Sequence, residues 1–122
     1  MRRLIVPAAA AALALLSGAA QAHPKLVASN PAANAAVAAP AKITLQFSEK
    51  LMPAFSKAEL IMAAMPGMPA MKMASSVAVA PDGRTLVITP SARLSRGRYT
   101  IDWNVVSADT HKIAGHLAFA VK

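Results

Sequence analysis

Tyr99-Thr100-Ile101-Asp102-Trp103-Asn104-Val105 alternates large apolar side chains with polar ones at every second position. Successive side chains of an extended chain point to opposite faces, so this stretch reads as a strand with one buried face and one wet face. The same period returns at Ile43, Leu45 and Phe47, set between Thr44, Gln46 and Ser48, and again at Leu117, Phe119 and Val121. Leu60 to Ala64 is short and apolar. Val77 and Val79 alternate ahead of the turn residues Pro81-Asp82-Gly83, and Leu86-Val87-Ile88 runs up to Pro90. Asn30 to Pro40 is rich in Ala, Asn and Pro and reads as a loop, and no amphipathic helix of useful length follows residue 22. Roughly seven short strands in one small domain predict an all-β fold, a two-sheet sandwich or Greek-key β-barrel of the immunoglobulin-like or cupredoxin-like kind.

The first 22 residues stand apart from that pattern. Arg2 and Arg3 precede an apolar run from Leu4 to Leu16, then small residues, and Ala20-Gln21-Ala22 fits the site after which a signal peptidase cuts. The run is shorter than the roughly 20 residues needed to span a bilayer. The expectation is a cleaved secretory signal over 1–22 and a soluble, exported domain over 23–122. Cysteine is absent from the chain, so neither a disulfide nor a thiolate is available there. Net charge is +8, from 13 basic and 5 acidic side chains, and losing Arg2 and Arg3 would lower it by two. The basic residues are scattered singly and there is one Trp and one Tyr, which gives no stacking platform for nucleic acid.

Five of the chain's seven methionines lie in Met62-Ala63-Ala64-Met65-Pro66-Gly67-Met68-Pro69-Ala70-Met71-Lys72-Met73. Methionine commonly fills gaps in a core, and a spacing of three suits a helical stripe. Pro66, Gly67 and Pro69 argue against a helix here, so the segment reads as a loop carrying more thioethers than it can bury. Thioether sulfur is a soft, neutral donor matched to Cu(I) or Ag(I), and it survives where thiols oxidise.

A second donor set is His23 with Asp109 and His111. After the expected cleavage His23 would offer both its imidazole and a free α-amine, whose pKa of about 8 lets a metal displace the proton near neutrality. Pro24 has no N–H, so copper at His23 cannot be chelated by successive deprotonated backbone amides and must find its other ligands in the fold. In Asp109-Thr110-His111 an extended backbone would aim the carboxylate and imidazole to the same side. An amine, two imidazoles and a carboxylate suit tetragonal Cu(II). His116 has no such companion and reads as an exposed or hydrogen-bonded residue of the last strand.

The start HPKLVASNPA, ITLQFSEKL, MAAMPGM, VITP, YTIDWNVVSADTHKIAG and the final strand together give a sequence that resembles the CopC/PcoC family of periplasmic copper-resistance proteins over the whole expected mature chain. That resemblance implies a Greek-key β-barrel with a Cu(II) site at one end and a Cu(I) site at the other. The family's Cu(II) ligands fall on His23, Asp109 and His111, with Glu49 of the FSE motif also assigned there. The Cu(I) methionines fall on Met62, Met65, Met68 and Met73. Where relatives with this loop usually carry a histidine, this chain has Ala70, with Met71 as an additional thioether beside it. An all-sulfur Cu(I) site should depend less on pH than one containing histidine.

The expected function is therefore non-catalytic: periplasmic sequestration or trafficking of copper for resistance and homeostasis. Its partners would be copper ions and a copper-transporting membrane protein or another periplasmic copper protein. The chain would be a monomer or a copper-bridged dimer. The competing reading is a copper-dependent oxidative enzyme with a histidine-brace-like site. Such an enzyme needs an aromatic-rich face for a polysaccharide and an open position for oxygen. One Trp on an alternating strand, one Tyr, and a carboxylate near the metal all speak against it.

Overall fold

The computed structural model describes residues 25–122, so the expected leader, His23 and Pro24 lie outside the described residues. Nine strands follow in chain order: β1 (Leu26–Asn30), β2 (Ala36–Val37), β3 (Ile43–Phe47), β4 (Lys57–Met62), β5 (Met71–Met73), β6 (Ser75–Val79), β7 (Thr85–Pro90), β8 (Gly97–Val106) and β9 (Lys112–Val121). A 3-10 turn, Pro53–Phe55, precedes β4. The described residues contain no α-helix and none long and apolar enough to cross a membrane.

The strands form two sheets, one of four in the order β1-β3-β7-β6 and one of five in the order β2-β9-β8-β4-β5. The all-β expectation holds, but the molecule is an open β-sandwich and not a closed barrel. The edge strands explain why. β2 and β5 have two and three residues, too few to carry a ladder round to the other sheet. The chain changes sheets at Ala74, the single residue between β5 and β6, a corner of the kind that joins packed sheets. β1, β2 and β5 are the strands that alternation in the sequence does not announce. β1 shows no regular inside–outside pattern and β2 is barely a strand. It sits within the segment expected to be a loop and, alone among the described strands, pairs in parallel, with the end of β9.

Each strong alternation becomes one face of the core. Ile43, Leu45, Phe47, Leu86 and Ile88 from the first sheet meet Leu60, Tyr99, Ile101, Trp103, Val105, Leu117, Phe119 and Val121 from the second. Burying each large apolar side chain is worth about 1.5–3 kcal/mol, so this interface supplies the stability that disulfides would otherwise provide. Tyr99 stacks on Phe119 with ring centroids 5.6 Å apart, and its hydroxyl leaves the core by donating to the Ser95 carbonyl at 2.6 Å. Trp103 meets Phe47 edge-on at 6.0 Å.

Trp103 also lies directly over Gly115, its register partner on β9. A Cβ at position 115 would sit 2.5 Å from the indole ring. The ring is buried and meets Phe47 edge-on, so Gly115→Ala forces either ring or strand to move. Overpacking of this kind costs about 1–3 kcal/mol. A denaturant titration should show that loss as a lower midpoint. An unchanged midpoint would mean that the indole yields freely.

Candidate metal centres

β8 is the axis on which both centres are placed. Its first half pairs with β4, Tyr99 lying opposite Met62, and its last residue leads into the loop that carries Asp109 and His111. The seven steps from Tyr99 to Val106, at about 3.3 Å each, put the two groups of donors roughly 23 Å apart at opposite ends of the sandwich.

The methionine segment differs from the sequence expectation. Met62 ends β4 and Met71–Met73 is β5, so the segment is a β-hairpin in which only 63–70 form the connecting loop. Met62 lies opposite Met71 and Leu60 opposite Met73 in the β4–β5 ladder, and Met65 bridges Met68 at the tip. Met65 and Met68 exchange backbone hydrogen bonds of 2.9 and 2.8 Å. Pro66 and Gly67 fill the two central turn positions, and Gly67 has φ +81°, which suits the position that most needs a glycine when proline precedes it. The proline and glycine that exclude a helix thus specify a tight turn. Glu59 and Lys72 add an exposed ion pair of 3.0 Å across β4 and β5, worth no more than about 1 kcal/mol.

The hairpin divides its thioethers by burial. Met62 and Met73 are half-buried and pack against the core, whereas Met65, Met68 and Met71 are exposed. Met62 and Met71 lie opposite each other across the ladder, with Met73 two residues on from Met71, so these three share one face of the hairpin, which meets the core at Met62 and Met73 and leaves Met71 exposed. Two methionines pack, and three are held out in solvent.

The loop between β8 and β9 also departs from expectation. Asp109-Thr110-His111 is a tight hairpin connection and not an extended segment. Ser107 N–H donates to the His111 carbonyl (2.9 Å) and Thr110 N–H to the Ser107 carbonyl (2.8 Å), with Thr110 in the left-handed region at φ +74°. This is the three-residue hairpin geometry whose last loop residue is normally glycine or asparagine. A β-branched residue there stores of order 1–3 kcal/mol of strain. The turn still brings the two expected donors together, with His111 Nδ1 3.1 Å from Asp109 Oδ1. Both side chains are nearly half exposed, so a ligand can reach them.

Ser107, which sequence reasoning does not single out, organises the loop. It is buried, its hydroxyl donates to Asp109 Oδ1, and it accepts from the His111 N–H at 3.3 Å. A serine two residues before an aspartate at a strand end is the available signal, since such side chains close local turns. The Asp109 carboxyl is held below its ordinary range, first by the Ser107 hydroxyl and further by His111, with partial desolvation opposing both. A depressed carboxyl pKa gives stability that is present above the unfolded value and is lost as pH falls through the folded one. Ser107→Ala should therefore raise the Asp109 titration midpoint towards the usual carboxylate value, as read by carboxyl NMR shifts. It should also shrink the acid-dependent part of the stability. An unmoved midpoint would show that Ser107 is not the main cause.

Glu49 is half-buried in the segment that runs beside this loop. Its neighbour Lys50 accepts a 2.8 Å hydrogen bond from Ala108 N–H, and Leu51 bridges Ser107. Glu49, Asp109 and His111 do not form a ready cluster, however. Among the described residues, no three His, Asp or Glu side chains converge closely enough to hold a metal. His116 is exposed on β9 opposite Asp102 and far along the strand from His111.

The chain matches the CopC domain family over residues 26–122. It is similar to Copper resistance protein C of Xanthomonas campestris pv. juglandis, 52% identical over 113 residues, covering 91% of this chain and 89% of that one. It is likewise similar to Copper resistance protein C of Pseudomonas syringae pv. tomato, 54% identical over 110 residues, covering 88% and 87%. Among solved structures it resembles PcoC, described as a methionine rich copper resistance protein from Escherichia coli. The TM-score is 0.77 and the identity 48%, over 83% of this chain and all of that one. A family match that spans every strand from β1 to β9 and relatives about half identical along their length lead to one statement: this chain belongs to the CopC family.

Proposed function

We propose that the protein is a non-catalytic copper-binding protein of the periplasm, which holds copper in either oxidation state and passes it to a membrane transporter or another periplasmic copper protein. The observation that carries this reading is the placement of two chemically different donor sets at opposite ends of β8. Thioethers stand on a hairpin at one end, and an imidazole–carboxylate pair sits on a turn at the other. Soft donors select Cu(I) and N/O donors select Cu(II). The names of the relatives, copper resistance proteins, agree with copper as the cargo.

Asp109 and His111 supply two Cu(II) donors, and His23 would add its imidazole and α-amine. Lys25, two residues after His23, is tied to Ser48, immediately before Glu49: the Ser48 N–H donates to the Lys25 carbonyl at 2.8 Å, and the Lys25 N–H donates to the Ser48 hydroxyl at 3.0 Å. Two residues of chain reach about 7 Å at most, so the fold starts beside the segment that flanks the Asp109–His111 loop. Glu49 is retained as a further carboxylate ligand on the same ground of proximity. Against oxidative catalysis, Phe47, Tyr99, Trp103 and Phe119 are all consumed by the core. Phe55 is the only exposed aromatic among the described residues, which leaves no flat aromatic face for a polysaccharide.

Intact-mass titration of the protein beginning at His23, with Cu(I) and Cu(II) supplied separately, tests the reading. One ion of each kind should bind, neither displacing the other. Cu(II) should bind more weakly at about pH 5 than at pH 8, because histidine and the α-amine, with ordinary pKa values near 6.5 and 8, must shed protons to ligate. Binding of only one oxidation state, or pH-independent Cu(II) affinity, would contradict it.

A further inference from the structure

We propose that Met65, Met68 and Met71 form a peroxide-oxidisable modification site, and that converting them to sulfoxides reversibly switches off soft-metal capture by the hairpin. The proposal rests on the Cu(I) reading of the methionines and adds a control to it. Accessibility is the first observation. Met65, Met68 and Met71 are 37%, 46% and 43% exposed, whereas Met62 and Met73 pack on the core and Met52 is half-buried. Met62 is shielded further by Gly97, against which its methyl group lies so closely that a Cβ there would come within 3.1 Å.

The second observation is that the tip is independent of its side chains. The Met65–Met68 turn is closed by two backbone hydrogen bonds and by Pro66-Gly67, and a Cβ at Gly67 would meet nothing within 4 Å. Met65 and Met68 stand at this open tip, and Met71, although opposite Met62 in the ladder, is 43% exposed, so all three thioethers are open to solvent and the backbone contacts that hold the hairpin do not depend on them.

The chemistry balances with peroxide as the oxidant. The thioether sulfur attacks one peroxide oxygen, the O–O bond breaks and an S=O bond forms. Two protons end on the departing oxygen as water, so sulfur gives two electrons and peroxide takes them. The product has lost its soft sulfur donor and offers a hard oxygen, which Cu(I) and Ag(I) bind poorly. Two thiols of a reductase system supply the electrons for the return, releasing water and a disulfide, and each sulfoxide epimer requires its own reductase. Metal and peroxide compete for the same sulfur lone pair, so a loaded hairpin should oxidise more slowly than an empty one.

The experiment treats the protein with hydrogen peroxide and follows oxygen addition by intact mass and peptide mapping. Ag(I), which undergoes no redox cycling with peroxide, serves as the soft-metal probe. Three oxygens should appear at Met65, Met68 and Met71 at least about tenfold faster than at Met52, Met62 and Met73, as expected when access controls the reaction. Prior Ag(I) loading should slow them. Ag(I) affinity should fall by more than about tenfold when three soft donors become hard, with the melting temperature unchanged, and both reductases together should restore binding. Even oxidation of all six methionines, a lost melting transition, or three sulfoxides with unaltered Ag(I) affinity would each overturn the switch. The last result sinks the switch alone. Failure of the untreated protein to take up Ag(I) sinks the Cu(I) reading together with it.

Discussion

Leucine at Met62, Met65, Met68, Met71 and Met73 together is expected to remove Cu(I) binding while leaving a folded protein. Leucine keeps the bulk and the apolar character, and such volume-conserving exchanges cost less than about 1.5 kcal/mol each at packed positions. Only Met62 and Met73 are packed, since the other three are exposed. The hairpin itself is held by the β4–β5 ladder and the Met65–Met68 backbone bonds, none of which needs sulfur. Cu(I) affinity should drop by well over the roughly 10–100-fold that loss of a mere supporting partner produces. Cu(II) affinity should stay within error of the parent, because its donors lie at the far end of β8. Competition against a chelator specific for each oxidation state measures both. A leucine variant that still holds Cu(I) like the parent would return all five methionines to packing and surface roles.

One extra residue ahead of His23 should cost Cu(II) affinity a factor above about 100, again beyond the range of supporting interactions. The extension turns a basic α-amine into an amide with no available lone pair. Pro24 blocks the alternative of recruiting the next backbone nitrogen. Longer reach gives no compensation, because Lys25 is pinned to Ser48 and the site must be completed within two residues of that anchor. Cu(I) binding and the melting temperature should not change, since the hairpin and both sheets are built from the described residues from Leu26 onwards. Equal Cu(II) affinity with and without the extension would show that the amine is not a ligand. The N/O site would then have to be rebuilt from Glu49, Asp109 and His111, which do not converge among the described residues.

Much of this was legible in the residues alone. The alternation at 43–47, 99–105 and 117–121 identifies the inward-facing side chains, because side-chain direction in a strand has a period of two and needs no knowledge of the partner, whereas the apolar run at 86–88 marks a strand without saying which side faces in. Donor chemistry was equally local: thioethers are soft and imidazole with carboxylate is harder, wherever they lie. By itself the sequence therefore determined the β class, most of the side chains that form the core, and two chemically different sets of candidate donors. It also contained the Pro66-Gly67 turn signal, which local reasoning took as a reason for irregularity when it was a reason for a hairpin. Only the tertiary structure decided that the sandwich stays open, that Met62 faces Met71 while Met65, Met68 and Met71 stand in solvent, and that Ser107 closes a strained turn which joins Asp109 to His111. Those features depend on which strands pair and in what register. Register is set by contacts between residues far apart in the chain, and no local pattern of side chains records it.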